Sequence, residues 1–181
     1  MSGPLDSNST ASPRTDLDLV RRRAFEIALS KRGQREVGGS NLGPICEWSK
    51  TGLTSRVKDP LMWCAFFVGQ CYRQVLIERG DAGLLAAWLN VFDGNCDKFA
   101  GNMRQLLWVT DGTDLVLPGD IVFYGTAAHL HHVDFFHEAK GAAAFDSIGG
   151  NTGPHSNSVA IMHRQKSRVF CFARPWVPSA Q

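Results

Sequence analysis

The chain has 181 residues, 44% of them hydrophobic and 20% charged, and its 19 Lys plus Arg against 17 Asp plus Glu leave a formal charge of +2. That length suits one domain with its own core, and so small a charge excess argues against the basic stripe of a nucleic-acid binder. The five cysteines are odd in number and follow neither C-x-x-C nor zinc-finger spacing, which argues against a disulfide framework or a zinc ribbon and for reduced thiols. No apolar h-region opens the chain and no apolar run could span a bilayer, so neither a signal peptide nor a membrane helix is expected.

Residues 1–15, "MSGPLDSNSTASPRT", read as a flexible tail, and residues 16–178 as a single domain. A helix is expected from about Asp16 or Asp18, because Leu17, Val20, Ala24, Ile27 and Ala28 recur at helical spacing before Gly33. The basic run Arg21-Arg22-Arg23 falls within it and reads as a solvated face. "EVGGSNLGP" is turn-rich, and a short helix over "ICEWSKTG" follows. In "DPLMWCAFFVGQCYRQVLIERG", Asp59 can cap a helix and Pro60 suits its first position. Leu61, Cys64, Val68, Cys71, Tyr72, Val75 and Leu76 form its apolar stripe, and Gly80 ends it. Short helices are expected over 84–91 and 97–107.

Then the period changes. "LPGDIVFYG" reads as a turn and a strand. "HHVDFFHEA" and "AAAFDSIG" flank Lys140-Gly141 as a hairpin, and "SVAIMHRQ" and "SRVFCFARP" add two strands. Helices first and strands second predict an α+β domain, with N-terminal helices packed on a C-terminal antiparallel sheet.

Cys64 lies near a helix start, where the dipole and unpaired N–H groups favour a thiolate and can hold an oxyanion. Cys71, two turns deeper on the apolar stripe, reads as core. A nucleophilic thiol needs a base, and six histidines are present, four of them within "HLHHVDFFH". A metal reading of that cluster lacks a cysteine or carboxylate at a typical ligand spacing. If Lys140-Gly141 is a two-residue turn, Ala139 pairs with Ala142 and His132 with Gly149. Asn151 or Ser147 then becomes the neighbour that orients the His132 ring, while Asp146 faces the other way.

Taken in order, "WCAFFV", "PGDIVFY", "HHVDFF" and "IGGNTG" resemble the CHAP family of papain-like amidases and endopeptidases. The resemblance runs over roughly residues 34–176. It implies a papain-like fold, Cys64 as nucleophile and His132 as general base and acid, with no cofactor and no metal. Two positions depart from the family pattern. His131 stands where many members have glycine, and Gly149 stands where many have glutamate. Gly149 has no side chain to orient an imidazole, which leaves Asn151 as the orienter in a Cys-His-Asn arrangement. Trp63 and Asn41 are the expected substrate-side residues, the first beside the nucleophile and the second in the glycine-rich loop. Asp120 is expected to support the turn before its strand.

The resemblance further implies bacterial peptidoglycan as substrate, cut by an endopeptidase or an amidase that acts in the periplasm or at the cell wall after delivery. Such a protein would be a monomer, either a phage lysis enzyme or an injected antibacterial effector with an immunity protein as partner. A catalytically inactive CHAP-like module that binds wall or protein is the competing expectation. A histidine metal domain is the third.

Overall fold

Hydrophobic periodicity changes halfway along the chain, and the architecture changes with it. The computed structural model describes residues 13–54, 62–105, 109–110 and 116–175. Five helices come first: α1 (Pro13–Ser30), α2 (Pro44–Lys50), α3 (Cys64–Glu78), α4 (Ala82–Val91) and α5 (Cys96–Gln105). Six strands follow: β1 (Val109–Thr110), β2 (Ile121–Thr126), β3 (His129–Ala139), β4 (Ala144–Thr152), β5 (Ser158–Gln165) and β6 (Val169–Ala173). They form one antiparallel sheet in the order β1-β6-β2-β3-β4-β5. The α+β arrangement expected from the sequence is therefore present.

Helix α3 is the axis of the core. Val68, Cys71, Tyr72, Val75 and Leu76 are each at most 1% exposed, and the helix packs on α1, α2, α4, β3 and β4. Burying each large side chain on this stripe stabilises the fold by about 1.5–3 kcal/mol. The sheet buries both of its faces. Phe123, Val133, Phe135 and Ile148 join the helical core. Val122, Tyr124, Phe136, Phe145 and Phe172 form a second cluster, because alternate residues of a strand point to opposite sides.

Three expectations are revised here. Helix α1 begins at Pro13, inside the segment read as tail; residues 1–12 lie outside the described residues. Asp59, Pro60 and Leu61 also lie outside them, and α3 begins at Cys64 with Trp63 as its N-cap. Arg21 is not on a solvated face: it is 5% exposed, and its guanidinium donates to the Pro118 carbonyl and lies 3.8 Å from Asp120. Asp120 anchors the turn before β2. Arg174 grips both of its oxygens at 2.8 and 2.6 Å, and the Leu117 N–H donates to it at 2.8 Å.

The β3–β4 hairpin also differs from its predicted register. Ala139 pairs with Phe145, and the connection between the two strands is four residues, 140–143, rather than two. A shift between Phe136 and Glu138 then sets Phe135 opposite Ile148. Continued along β3, this register carries Gly149 to Asp134 instead of His132. Space confirms the neighbourhood, since a Cβ on Gly149 would lie 1.8 Å from Asp134 Oδ1.

Candidate active site

Cys64 is the first residue of α3. The first helical bond runs from the Phe67 N–H to the Trp63 carbonyl at 2.8 Å, so the N–H groups of Cys64, Ala65 and Phe66 have no partner within the helix. Trp63 fixes this start. Its indole N–H donates to Glu36 Oε1 at 2.8 Å, and its ring packs edge-on against Phe67. Gly150 lets the helix come this close to the sheet: a Cβ there would stand 2.4 Å from the Trp63 ring and 2.7 Å from Phe67 Cβ.

His132 approaches from β3, where it pairs across to Tyr124. Its side chain is 13% exposed, and its Nε2 lies 2.7 Å from Oδ1 of fully buried Asp134. Neither atom completes a well-angled hydrogen bond, so the contact acts as a buried ion pair. The other Asp134 oxygen, Oδ2, accepts from Ser147 Oγ at 2.7 Å and from Arg164 Nη2 at 2.9 Å. Arg164 also donates to Thr152 Oγ1 at 2.9 Å and covers the Tyr124 ring at 5.0 Å. One carboxylate oxygen is thus held by neighbours, and the other is left for the imidazole.

The Cys64 sulfur gathers four influences. The Cys96 thiol, whose Sγ is 3.9 Å away, lowers the Cys64 pKa most. Burial opposes this, and the hydrogen bond and charge of His132 and the backbone N–H of Val133 lower it further. The result is a thiol held well below its ordinary range. Cys96 moves the opposite way, pushed up by its contact with Cys64 and by burial. For His132, burial acts downward but is outweighed by the Asp134 carboxylate and then by Cys64, which raise it to about 10. For Asp134, burial acts upward and is outweighed by His132, Arg164 and Ser147, which bring it to about 2. These directions favour a Cys64 thiolate beside a His132 imidazolium, backed by an Asp134 carboxylate. With Nε2 turned to Asp134, Nδ1 is the ring nitrogen left for the sulfur.

The expected site residues divide. Cys64 and His132 are brought together. Asn151 reaches the same place, 9% exposed and in a left-handed conformation with φ 54°, and lines a cavity with His132. The group that meets His132 Nε2, however, is Asp134, which replaces Asn151 as the orienter. Trp63 is 0% exposed, so it offers no ring face to a substrate and serves the helix start instead. Asn41 stays on the glycine-rich loop, its amide donating to Ser40 Oγ at 3.1 Å, and it does not line the cavity. Asp146 turns away and contacts His163 at 3.0 Å.

Asp134, Arg164 and Cys96 were missed from sequence. The signal for Asp134 was the H-x-D spacing of "HVD", because residues two apart on a strand share a face.

The cavity beside His132 has a volume of about 450 Å³, within the size range of small-ligand sites. Met62, Tyr124 and Met162 give it apolar wall, and His131, Arg164 and Arg168 give it basic wall, with no Asp or Glu among its described lining residues. Among the described residues no group of three or more His, Cys, Asp or Glu side chains is placed to hold a metal ion, and no helix is long and apolar enough to cross a membrane. Comparison of the chain with protein families, with curated proteins and with solved structures finds no match in any of the three.

Proposed function

We propose that this protein is a cysteine hydrolase of amide bonds, with Cys64 as nucleophile, His132 as general acid and base, and Asp134 as the carboxylate that orients and charges His132. The observation that carries this reading is the chain of contacts from a thiol at a helix start, through a buried imidazole, to a carboxylate with one free oxygen. Besides Cys96, His132 and the Val133 N–H both favour the thiolate of Cys64, which would form the nucleophile before substrate arrives.

The thiolate attacks the amide carbonyl. The developing oxyanion takes hydrogen bonds from unpaired N–H groups at the start of α3. The imidazolium gives its proton to the amine, the C–N bond breaks, and a thioester remains on Cys64. Neutral His132 then removes a proton from water, which attacks the thioester, releases the acid and restores the ion pair. Asp134 holds the ring in one orientation throughout and stabilises it whenever it is charged, as a triad acid does.

The substrate we propose is bacterial peptidoglycan, cut at a stem-peptide, cross-bridge or glycan–peptide amide. The motif order around Cys64 and His132 supports it. So does the basic cavity wall, which suits a peptide bearing free carboxylates. The inactive-module reading rested on Gly149 lacking an acid, and Asp134 supplies a carboxylate at that spot.

The test is incubation of purified cell wall with wild type and with Cys64→Ala, followed by mass spectrometry of the soluble products. Wild type is expected to release fragments with one new amine and one new carboxyl terminus, and Cys64→Ala none. Release by Cys64→Ala at the wild-type rate would end the thiol mechanism. No release by wild type from walls of several chemistries would end the peptidoglycan assignment.

A further inference from the structure

Hydrolysis needs one cysteine at the site, yet the structure holds two. Cys96 is the first residue of α5, as Cys64 is the first of α3, and their sulfurs stand 3.9 Å apart with 5% and 2% exposure. No step of amide cleavage requires a second thiol. Among the described residues the two thiols join no set of three ligating side chains.

We propose that Cys64 and Cys96 form a reversible disulfide when the protein meets hydrogen peroxide, and that this bond switches the hydrolytic site off. A disulfide needs the sulfurs at about 2.05 Å, so the two must close from 3.9 Å. Both side chains leave helix N-termini, where a small rotation about Cα–Cβ moves sulfur without unwinding a turn.

The chemistry balances in two steps. The Cys64 thiolate attacks one peroxide oxygen, the O–O bond breaks, and Cys64 becomes a sulfenic acid while hydroxide leaves and is protonated to water. Sulfur has lost two electrons and the peroxide has gained them. The Cys96 sulfur then attacks the Cys64 sulfur, the S–S bond forms and the S–O bond breaks. The departing hydroxide takes the proton of the Cys96 thiol and leaves as a second water. Overall, two thiols and one hydrogen peroxide give one disulfide and two waters. Besides the contact the two thiols share, Cys64 meets His132 and the Val133 N–H, both of which favour its thiolate, while burial pushes Cys96 up; attack therefore goes to the first and resolution to the second.

The off-switch rests on Cys64 being the nucleophile; disulfide formation itself does not. Reduced, full-length protein is exposed to hydrogen peroxide, then analysed by intact mass without reductant, by peptide mapping, and by wall-fragment release. The wild type is expected to lose two hydrogens, to yield a Cys64–Cys96 linked peptide, and to lose fragment release entirely, with full recovery on adding dithiothreitol. Cys96→Ser and Cys96→Ala are expected instead to gain two oxygens on Cys64, and reductant should not reverse that. The proposal is overturned if wild-type Cys64 over-oxidises as fast as in the Cys96 variants, or if the linked peptide joins other cysteines. A protein that forms the Cys64–Cys96 bond but cleaves no wall sinks the hydrolase reading and the off-switch while leaving the disulfide. One that cleaves wall but forms no such bond sinks only the switch.

Discussion

Asp120 and Asp134 are both buried, both meet an arginine, and do different things. Asp120 faces Arg174 fork to fork, one nitrogen to each oxygen at 2.8 and 2.6 Å. Its acceptor capacity goes into holding the turn before β2. Asp134 meets Arg164 through Oδ2 alone, and Ser147 shares that oxygen. Oδ1 is left facing His132 at 2.7 Å, in room that exists because residue 149 has no side chain. A carboxylate saturated by its arginine is a clasp. One held by a single oxygen is anchored and still able to act on a second group.

The largest effects should separate the two acids by rate. Cys64→Ala should abolish wall cleavage, a fall on the order of 10⁴ or more in kcat. Asp134→Asn should come next, with a fall of about 10³–10⁴ because the neutral amide cannot sustain the imidazolium. Both variants should keep a folded circular dichroism spectrum. Asp134→Asn with near-wild-type kcat would leave the comparison without a basis.

Asp120→Asn should do the reverse. Losing one member of a buried pair costs about 3 kcal/mol or more. Denaturant midpoints should fall accordingly, while kcat per folded molecule stays within about threefold of wild type. Gly149→Ala sharpens the contrast, because its methyl must displace the Asp134 carboxylate. A displacement near 1 Å is worth about 10²-fold in kcat, and KM should change less than kcat.

Asn151→Gly is the smallest change. Glycine accepts the φ of 54° at that position without strain, and kcat should fall by less than about tenfold if Asp134 is the orienter. A fall matching that of Asp134→Asn would restore Asn151 to the role first read from sequence.

The pH dependence follows from the same geometry. His132 is raised from 6.5 to about 10. Its contribution to stability is therefore complete below its unfolded value and is lost as pH rises through about 10. Asp134 is lowered from 3.8 to about 2, so its contribution is present above 3.8 and lost as pH falls through about 2. The alkaline limb of kcat/KM should extend toward pH 10 in wild type and retreat in Asp134→Asn. Proton NMR of the His132 ring would report the same shift.

Much of this was legible beforehand. The order of helices then strands follows from a change of period. Cys64 and His132 follow from their motifs. Asp134 was missed because an orienting partner was sought across the hairpin on β4, whereas it lies two residues from His132 along β3 itself, on the same face. The hairpin partner was misjudged as well: the connection is longer than two residues and a shift near His137 resets the pairing again, two odd steps that cancel in face and change only which residue stands opposite. Trp63 was misread for a different reason. Adjacency in sequence to a nucleophile says nothing of direction, and at a helix start the neighbouring side chain turns inward. Cys96 could not be tied to Cys64 from spacing at all, because two helices had to pack before their first residues met.

Gly149 and Gly150 set two clearances from one place in the chain. Successive residues of a strand face opposite ways, so one vacancy opens above the sheet toward Asp134 and the other below it toward Trp63 and Phe67. The upper gap seats Asp134 behind His132, and the lower gap sets how deeply the helix carrying Cys64 is seated. His132 and Cys64 are thus gauged against the same two peptide units. A drift of that short strip would move both together and keep their spacing, whereas a single added methyl would move only one.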